Sequence, residues 1–260
     1  MIKTFKVSKK MSTIIENKIL EYLTERQYAD VDEIAQKFSI SGATVRRKLT
    51  VLHDKGLVVR TRGGAKINDT NNFYPSFSFR THQNSLEKKK IALAGIKLIK
   101  NGDLVFIDGS TSCFFIADYL SEFNNLKVVT NGIDTLSLLS KNKIDAYSTG
   151  GVVSEANRSV LVGQIAHQTI SNMHADIVFF SAQSVGKNGE IYDCFEHENY
   201  LRREMIKNAN KKVFLCDSTK LNRSSPFKLC NMEDIDYIIC NQEIKTYFEK
   251  DYSDKIICIE

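Results

Sequence analysis

The sequence lacks several features that mark particular classes of protein. No apolar run approaches the roughly 18 residues that a membrane-spanning helix needs, and the basic start MIKTFKVSKK leads into no apolar segment of a secretory signal. The chain contains no P-loop, no G-x-G-x-x-G loop, no internal repeat and no low-complexity tract. Together with an ordinary composition, these absences exclude membrane, collagen-like and disordered proteins. We expect a cytoplasmic protein without membrane contact.

Cysteine is present, but it is not arranged for metal binding. The six cysteines are dispersed, with no C-x-x-C pair and no zinc-type quartet. Cys194 and His197 form a lone C-x-x-H pair without two further ligands. We therefore expect reduced thiols, no metal and no cofactor.

Length and charge together predict two domains. The 260 residues, of which 42% are apolar and 26% charged, are enough for about two domains. The net charge of +5 is unevenly distributed. Residues 1–66 hold 14 Lys/Arg against 7 Asp/Glu, whereas the remainder holds 22 against 24. This asymmetry favours a module that faces nucleic acid, joined to a nearly neutral domain, over a merely basic surface.

The N-terminal segment predicts a winged helix-turn-helix. Three short helices have candidate N-caps at Ser12, at Asp30 or Asp32, and at Ser41. The third helix would bury Val45, Leu49 and Leu52 and would end at Gly56. A β-branched run and a Gly63–Gly64 turn then predict a hairpin.

The third helix of this segment carries the strongest signal for DNA binding. Three adjacent cations near its N-terminus oppose the helix dipole, so stability alone would not favour them, whereas neighbouring phosphates would. Arginine also reads guanine bidentately in the major groove. The alternative is a solvated charged face. The predicted DNA contacts are Ser41, Thr44, Arg46, Arg47 and Lys48 on the helix, and Arg60 and Arg62 on the hairpin.

Helices and short buried strands alternate in the rest of the chain. Residues 67–80 lack periodicity and form the predicted linker, although their aromatic residues indicate that the segment docks on another surface. This alternation predicts an α/β domain with a mostly parallel sheet and helices on both faces. The predicted strands are 104–107, 126–130, 144–149, 177–181, 212–216, 236–240 and 255–258, and helices are predicted at 112–122, 132–141 and 195–210.

Polar clusters follow four of these strands: DGSTSC at 108–113, Thr130–Gly132, Gly150–Gly151 and DSTK at 217–220. Ligands of open parallel sheets bind at the carboxyl ends of the strands. Backbone N–H groups, hydroxyls and a lysine suit a phosphate group, although each cluster alone is also typical of loop capping.

Two sets of motifs resemble the DeoR-type bacterial transcriptional regulators. The run S-x-x-T-V-R-R-x-L, followed by K-G-L-V-x-R-x-x-G-G-A, is similar to their DNA-binding domain over residues 11–66 and leaves residues 1–10 as an extension. This sequence departs from the family pattern at Lys48, where an acidic residue is usual, and at Arg62, where histidine is usual.

The predicted second domain, residues 81–260, resembles the C-terminal sensor domain of the same family over about residues 76–245. The matching elements are D-G-S-T-S, V-V-T-N, G-G, Arg158 through Gly163, E-x-x-x-R-R-x-M and D-S-T-K. This resemblance implies a fold similar to sugar-phosphate isomerases and CoA-transferases, and a phosphorylated sugar as effector. Gln183 stands where an acidic residue is common. The expected effector-binding residues are Asp108, Ser110, Thr111, Ser112, Asn131, Gly151 and Lys220.

The leading interpretation is a repressor of a carbohydrate operon. It would bind a double-stranded DNA operator as a homo-oligomer, dimer or tetramer, and be released by a sugar phosphate. The sequence does not distinguish a repressor from an activator. A sugar-phosphate isomerase with a DNA-binding appendage is the alternative from another class. Its acidic candidates would be Asp108, Glu196 and Glu198, and since no histidine joins them, we expect no catalysis.

Overall fold

The computed structural model describes residues 15–24, 26–67, 76–241, 244 and 246–259. They divide into two compact units, Met1–Gln83 and Asn84–Glu260. The predicted extension 1–10, the predicted cap Ser12 and residues 68–75 of the predicted linker lie outside the described residues. Within the described part of the chain, no helix combines the length and the apolar character needed to cross a membrane.

The N-terminal unit is a winged helix-turn-helix, as predicted. Its three strands form one antiparallel sheet in the order β1-β3-β2. Strand β1, which joins the wing to the helices, is missing from the sequence prediction because three residues are too few to show alternation. The elements are α1 (residues 15–24), β1 (Tyr28–Asp30), α2 (Val31–Phe38), α3 (Gly42–Asp54), β2 (Val58–Thr61), β3 (Gly64–Ile67) and α4 (Phe77–His82).

Local capping explains where the helices of this unit begin and end. Asp30 accepts from the N–H groups of Asp32 and Glu33 and forms a capping box at the start of α2. Ser41 caps α3 by accepting from Thr44 N. Gly56, with φ +70°, supplies the left-handed residue after α3. As predicted, the inward residues of α3 are fully buried: Val45, Leu49 and Leu52.

The hairpin turn lies one residue earlier than predicted. Arg62 and Gly63 form it, and Gly64 already pairs with Thr61 in the sheet. Gly63 has φ +96°, which only glycine adopts readily. Gly64 is needed for a different reason, because a Cβ there would overlap the carbonyl oxygen of Ala29 in β1.

The end of the predicted linker is helical. Ser76 caps α4, and Phe79 packs into the core of the N-terminal unit. The expectation of irregular structure up to residue 80 is therefore wrong for this stretch. A six-residue helix is too short to show a 3.6-residue period, so only its packing identifies it.

The C-terminal unit is built on a seven-stranded parallel sheet in the order β15-β14-β12-β9-β4-β5-β6. Two smaller antiparallel groups, β10-β11-β13 and β7-β8, accompany it. The strands are β4 (Leu104–Ile107), β5 (Lys127–Thr130), β6 (Asp145–Ser148), β7 (Val152–Val153), β8 (Leu161–Val162), β9 (Ala175–Phe180), β10 (Ser184–Val185), β11 (Glu190–Asp193), β12 (Ala209–Cys216), β13 (Phe227–Asn231), β14 (Tyr237–Cys240) and β15 (Ile256–Cys258). The helices are α5 (Ser85–Gly95), α6 (Thr111–Phe114), α7 (Ile133–Lys141), α8 (Gln164–Ser171) and α9 (Glu196–Lys207).

Alternate residues of the central strands build two cores, one on each face of the sheet. Phe106, Phe180 and Phe214 belong to the face that α8 and α9 cover. Ile107 and Phe179 belong to the opposite face, which α5, α6 and α7 cover. The predicted parallel sheet with helices on both faces is therefore confirmed. The predicted helix 112–122 is instead α6 followed by the two short 3₁₀ turns Phe115–Asp118 and Leu120–Glu122.

Sheet order identifies the edge of the sheet where a ligand is expected. Strand β4 is paired with β5 on one side and with β9 on the other, so the strand order reverses at β4. In open parallel sheets, ligands bind at such a position, beyond the carboxyl ends of the strands. The residues that directly follow four neighbouring strands are Asp108 after β4, Asn131 after β5, Ser181 after β9 and Asp217 after β12.

Candidate nucleic-acid interface and ligand pocket

The outer side of α3 presents two of the predicted cations. Arg46 and Arg47 are exposed, whereas the neighbouring Val45 and Leu49 are fully buried. The hydroxyls of Ser41 and Thr44 form a hydrogen bond, with 2.9 Å between Ser41 Oγ and Thr44 Oγ1, at the exposed start of the helix. Their first role is therefore capping, and their hydroxyls stay at the surface beside the arginines.

The wing lies against the same side of α3. Arg60 Nη1 donates to Thr50 Oγ1 at 2.8 Å, and Thr50 Oγ1 donates to the carbonyl of Arg46 at 3.0 Å. Arg60 and Arg46 are thus linked through one threonine. Arg62 is exposed in the hairpin turn. The structure brings four of the predicted DNA contacts, two on the helix and two on the wing, to exposed positions.

Lys48 does not belong to this surface, and the prediction that it lies there is wrong. Its side chain is only 6% exposed, and Nζ donates to Glu16 Oε1 of α1 at 3.0 Å. Lys55 donates to the other oxygen of Glu16 at 2.8 Å. Lys48 falls at i+3 from Val45 on α3, so it shares the buried side of the helix, and the charge is tolerated there because Glu16 neutralises it.

Glu16 is held in its ionised form by these two lysines. Burial alone raises the pKa of a carboxyl group. Hydrogen bonds and charges from Lys55 and Lys48 outweigh burial, so the pKa of Glu16 is lowered below its usual 4.5. The cluster is therefore a buried ion group that fastens α1 to α3.

In the C-terminal unit, the DGSTS loop is fastened by Asp108. Its Oδ1 accepts from Ser110 N at 3.0 Å, and Oδ2 accepts from Ser181 N at 3.1 Å and from Arg202 Nε at 2.9 Å. The residue is 1% exposed. Because both oxygens accept from the protein itself, Asp108 positions the loop, and the predicted contact with an effector falls to the residues that follow it.

Arg202 of α9 stands at the centre of a buried charge group. Besides Asp108, its guanidinium bonds Asp193 Oδ2 of β11 at 2.8 Å and Asn199 Oδ1 at 3.0 Å. Glu198 lies 4.0 Å from Nη2. The arginine thus connects α9, β11 and the end of β4. It falls within the E-x-x-x-R-R-x-M motif, but its role as the partner of Asp108 was not predicted.

Two lysines lie at the loops that follow the carboxyl ends of the sheet strands. Lys88 of α5 is 3% exposed and donates to Thr111 Oγ1 at 3.2 Å. Lys220 is half-buried at the end of the DSTK turn, and both lysines act on the pKa of Asp217. Sequence reasoning missed Lys88, although a signal existed, since Ile91, Ala92 and Gly95 follow it at i+3, i+4 and i+7 on the buried side of α5.

The remaining predicted effector residues occupy different places. Ser110 caps α6 by accepting from Cys113 N at 3.2 Å, and Ser112 is buried beneath Ser181. Asn131 is buried and donates to the carbonyl of Leu161 at 3.1 Å. Gly151 packs against β8, where a Cβ would overlap the carbonyl oxygen of Val162, and the contacts of Gly151 are with β8 and α8 instead of the DGSTS loop.

Two glycines let the first two loops approach each other. A Cβ at Gly109 would overlap the side chain of Val160 and lie 3.3 Å from Gly132 Cα. A Cβ at Gly132 would lie 3.0 Å from Gly109 Cα. Gly109 therefore serves close packing of the DGSTS loop on the loop after β5, and its φ is not in the left-handed region.

The two thiols beside the candidate loops are buried. All six cysteines are free, and Cys113 and Cys216 lie fully buried beside the DGSTS and DSTK loops. Burial raises the pKa of both thiols well above the usual value, so the reactive thiolate is suppressed.

A winged helix-turn-helix with an arginine surface, together with an α/β unit that has polar loops at the carboxyl edge of its parallel sheet, is the architecture of a DNA-binding transcriptional regulator with a ligand-sensing domain. The family model for the DeoR-like helix-turn-helix domain matches residues 16–71, and that for the DeoR C-terminal sensor domain matches residues 83–242. The chain belongs to the DeoR family of transcriptional regulators.

Curated relatives match over nearly their whole length. The HTH-type transcriptional regulator GolR of Listeria innocua is 30% identical over 92% of this chain and 94% of its own. The L-fucose operon activator of Haemophilus influenzae is 30% identical, covering 89% and 93%. The putative aga operon transcriptional repressor of Escherichia coli O157:H7 is 29% identical, covering 87% and 85%.

Proposed function

We propose that this regulator represses a carbohydrate operon and is released from its operator by a phosphorylated sugar. The observation that carries the DNA part is the exposed pair Arg46 and Arg47 on α3, with Arg60 of the wing linked to Arg46 through Thr50. A helix of this kind reads base edges in the major groove, while the wing cations contact phosphate or the minor groove.

The DNA part is tested by the salt dependence of operator binding. Several arginine–phosphate contacts make log affinity fall steeply with log salt concentration, since each releases condensed counterions. The measurement is fluorescence anisotropy of the full chain on DNA from its own upstream region, with a scrambled duplex as control. A flat salt dependence, or equal affinity for both duplexes, contradicts sequence-specific binding.

The effector part rests on the residues that converge at the carboxyl edge of the sheet. Lys88 and Lys220 supply two positive charges, Thr111 a buried hydroxyl, and the short helix after Ser110 its backbone N–H groups. This set suits a phosphomonoester. Substituting Lys220 by Ala is expected to abolish the thermal stabilisation that a bound sugar phosphate gives, while operator affinity without ligand stays unchanged. A shift of full size in Lys220→Ala contradicts the assignment.

We propose that this site binds the sugar phosphate without isomerising it. Isomerisation needs a carboxylate or other base that is free to take a proton from the substrate. Asp108 is engaged by three donors, Glu198 is buried against Asn157 and Arg202, and Glu196 is paired with Arg203. Assays of the purified protein with pentose and hexose phosphates are expected to show no isomerisation, and measurable turnover overturns this part.

We propose repression because the aga operon relative is named a putative repressor, although the L-fucose operon relative is named an activator. Repression predicts that deleting this regulator raises expression from a reporter fused to the upstream region of its own operon. A fall in expression on deletion identifies an activator.

We also propose that the C-terminal unit forms a homo-oligomer, a dimer or tetramer, so that paired winged helices meet a symmetric operator. An exposed apolar patch supports this: Val152, Val153 and Ile165 are 63%, 42% and 65% exposed. Glycines lie next to two of these side chains, since a Cβ at Gly150 would lie 3.4 Å from Ile165 Cγ2 and one at Gly163 would lie 3.5 Å from Val152 Cγ2. Exposed apolar patches of this kind mark association surfaces. Light scattering is expected to give a dimer or larger assembly that Ile165→Glu weakens, and a monomeric wild type contradicts the proposal.

A further inference from the structure

Two buried polar atoms beside the proposed phosphate site have no hydrogen-bond partner among the residues that the structure describes. One is Asp217 Oδ2, on a side chain that is completely buried. The other is Ser184 Oγ in β10, which is also buried. Strand β10 packs against the turn Ser218–Lys220 that follows Asp217 directly. The two atoms therefore lie on neighbouring segments at the carboxyl edge of the sheet.

Among the described residues, only one oxygen of the Asp217 carboxylate has hydrogen-bond donors. Oδ1 accepts from Thr219 N at 3.0 Å and from the Thr219 hydroxyl. Burial raises the pKa of Asp217, but the charges of Lys220 and Lys88 and the bonds from Thr219 outweigh burial, and the net pKa is lowered. Asp217 is therefore ionised at neutral pH, and Oδ2 is a buried acceptor that needs a donor.

We propose that Asp217 Oδ2 and Ser184 Oγ bind hydroxyl groups of the effector and make the site discriminate against phosphorylated carboxylic acids. A sugar hydroxyl donates to Asp217 Oδ2, and Ser184 Oγ either donates or accepts. A ligand carboxylate would instead bring a second negative charge against Asp217 Oδ2, an acceptor for which the described residues supply no donor. The inference rests on the proposed phosphate site and specifies which phosphates it admits.

The lowered pKa of Asp217 also suits this carboxylate to binding a hydroxyl group and not to abstracting a proton. A carboxylate whose pKa is lowered is a weak base, so it takes up a proton poorly, yet it remains a strong hydrogen-bond acceptor. The same group that reads hydroxyls is thus unsuited to abstracting a proton from the ligand.

Calorimetric titration of the full chain with two kinds of phosphate tests the inference. The probes are inorganic phosphate, a panel containing glucose 6-phosphate, fructose 6-phosphate and ribose 5-phosphate, and 3-phosphoglycerate as the carboxylated control. We expect wild type to bind at least one sugar phosphate about tenfold or more tightly than inorganic phosphate, and 3-phosphoglycerate no more tightly than inorganic phosphate.

The variant Asp217→Asn distinguishes two roles of Asp217: binding a hydroxyl group of the effector, and holding Lys88 and Lys220 in place. The amide keeps one oxygen for Thr219 and replaces the unpartnered oxygen by a donor. We expect the advantage of the sugar phosphate over inorganic phosphate to fall about tenfold, while inorganic phosphate binds equally or more tightly because a neighbouring anion is gone. If both ligands weaken by the same factor, Asp217 acts by holding Lys88 and Lys220, and hydroxyl reading is wrong.

Ser184→Ala provides a second variant that leaves the fold intact, because the described residues make no hydrogen bond to its hydroxyl. It is expected to lower sugar phosphate affinity severalfold and to leave inorganic phosphate affinity unchanged. An unchanged sugar phosphate affinity in both variants overturns the inference. A wild type that binds inorganic phosphate but no sugar phosphate more tightly also overturns it, and one that binds neither contradicts the proposed phosphate site itself.

Discussion

Arg202 Nε donates to Asp108 Oδ2 over 2.9 Å, and this buried pair fastens the first residue after β4 to the middle of α9. The same guanidinium reaches Asp193 of β11. The loop that carries Ser110 and Thr111 is therefore fixed by a residue more than ninety positions further along the chain.

Replacing Arg202 is expected to destabilise the C-terminal unit strongly. Arg202→Met leaves Asp108 and Asp193 buried without their cation, which costs about 3–5 kcal/mol of unfolding free energy. The control is Lys250→Met, since Lys250 pairs with Glu233 at 2.8 Å but is 58% exposed on its side chain. An exposed pair is worth less than about 1 kcal/mol. Urea unfolding of both variants provides the measurement, and equal losses contradict the role assigned to Arg202.

Substituting Gly109 by Ala is expected to disturb the proposed phosphate site. The added Cβ would overlap Val160 and crowd Gly132, so the DGSTS loop must shift away from the loop after β5. We expect the thermal stabilisation by sugar phosphate to be lost while operator binding is retained. Gly102→Ala is the control, because its Cβ meets no atom within 4 Å, although its φ of +85° costs about 1 kcal/mol. A full ligand response in Gly109→Ala would show that the loops tolerate separation.

Neighbouring cations on α3 are expected to behave differently in DNA binding. Arg47→Ala removes an exposed cation and should lower the slope of log affinity against log salt by about one, with weaker binding. Lys48→Met should leave that slope unchanged, because Lys48 is committed to Glu16 and releases no counterion. Anisotropy titrations over a range of salt concentrations measure both slopes. A reduced slope in Lys48→Met would place that lysine on the phosphates after all.

Glu16 is expected to stabilise the N-terminal unit in a pH-dependent way. Glu16→Ala removes the carboxylate that neutralises the buried charge of Lys48 and should cost about 3–5 kcal/mol. Because the pKa of Glu16 is lowered from 4.5 in the folded state, its contribution is fully present above about pH 4.5 and is lost as the pH falls through the lower folded value. Hydrogen exchange of the α3 amides in the full chain reports both effects. If wild type and Glu16→Ala differ equally at pH 3 and pH 7, the ion group does not account for the stability.

Periodicity and capping chemistry made most of the fold predictable. The inward spacing of Val45, Leu49 and Leu52 and the cap at Ser41 defined α3, because both depend only on residues within a few positions of each other. Strand β4 agrees with its apolar run to the residue, since a buried parallel strand is a continuous hydrophobic segment. Short elements such as β1 and α4 were missed because they are stabilised by packing and not by a local pattern.

The residues of the proposed effector site were also only partly predictable from the sequence. The loops that carry Thr111 and Lys220 could be predicted, because parallel topology alone gathers the carboxyl ends of strands. The partners of those loops were not. Lys88 reaches Thr111 from α5, and Arg202 reaches Asp108 from α9, and both contacts join residues that are distant in sequence.

By itself, the sequence determined the two-unit organisation, the winged helix, the parallel sheet and the family, because each follows from local spacing and motif order. Only the tertiary structure decided which charged side chains are exposed and which are buried in ion pairs that stabilise the fold. Lys48 stands next to Arg47 in the chain, yet one is buried on Glu16 and the other exposed. A charge remains buried only where a partner from another element compensates its desolvation, and that pairing exists only in the folded chain.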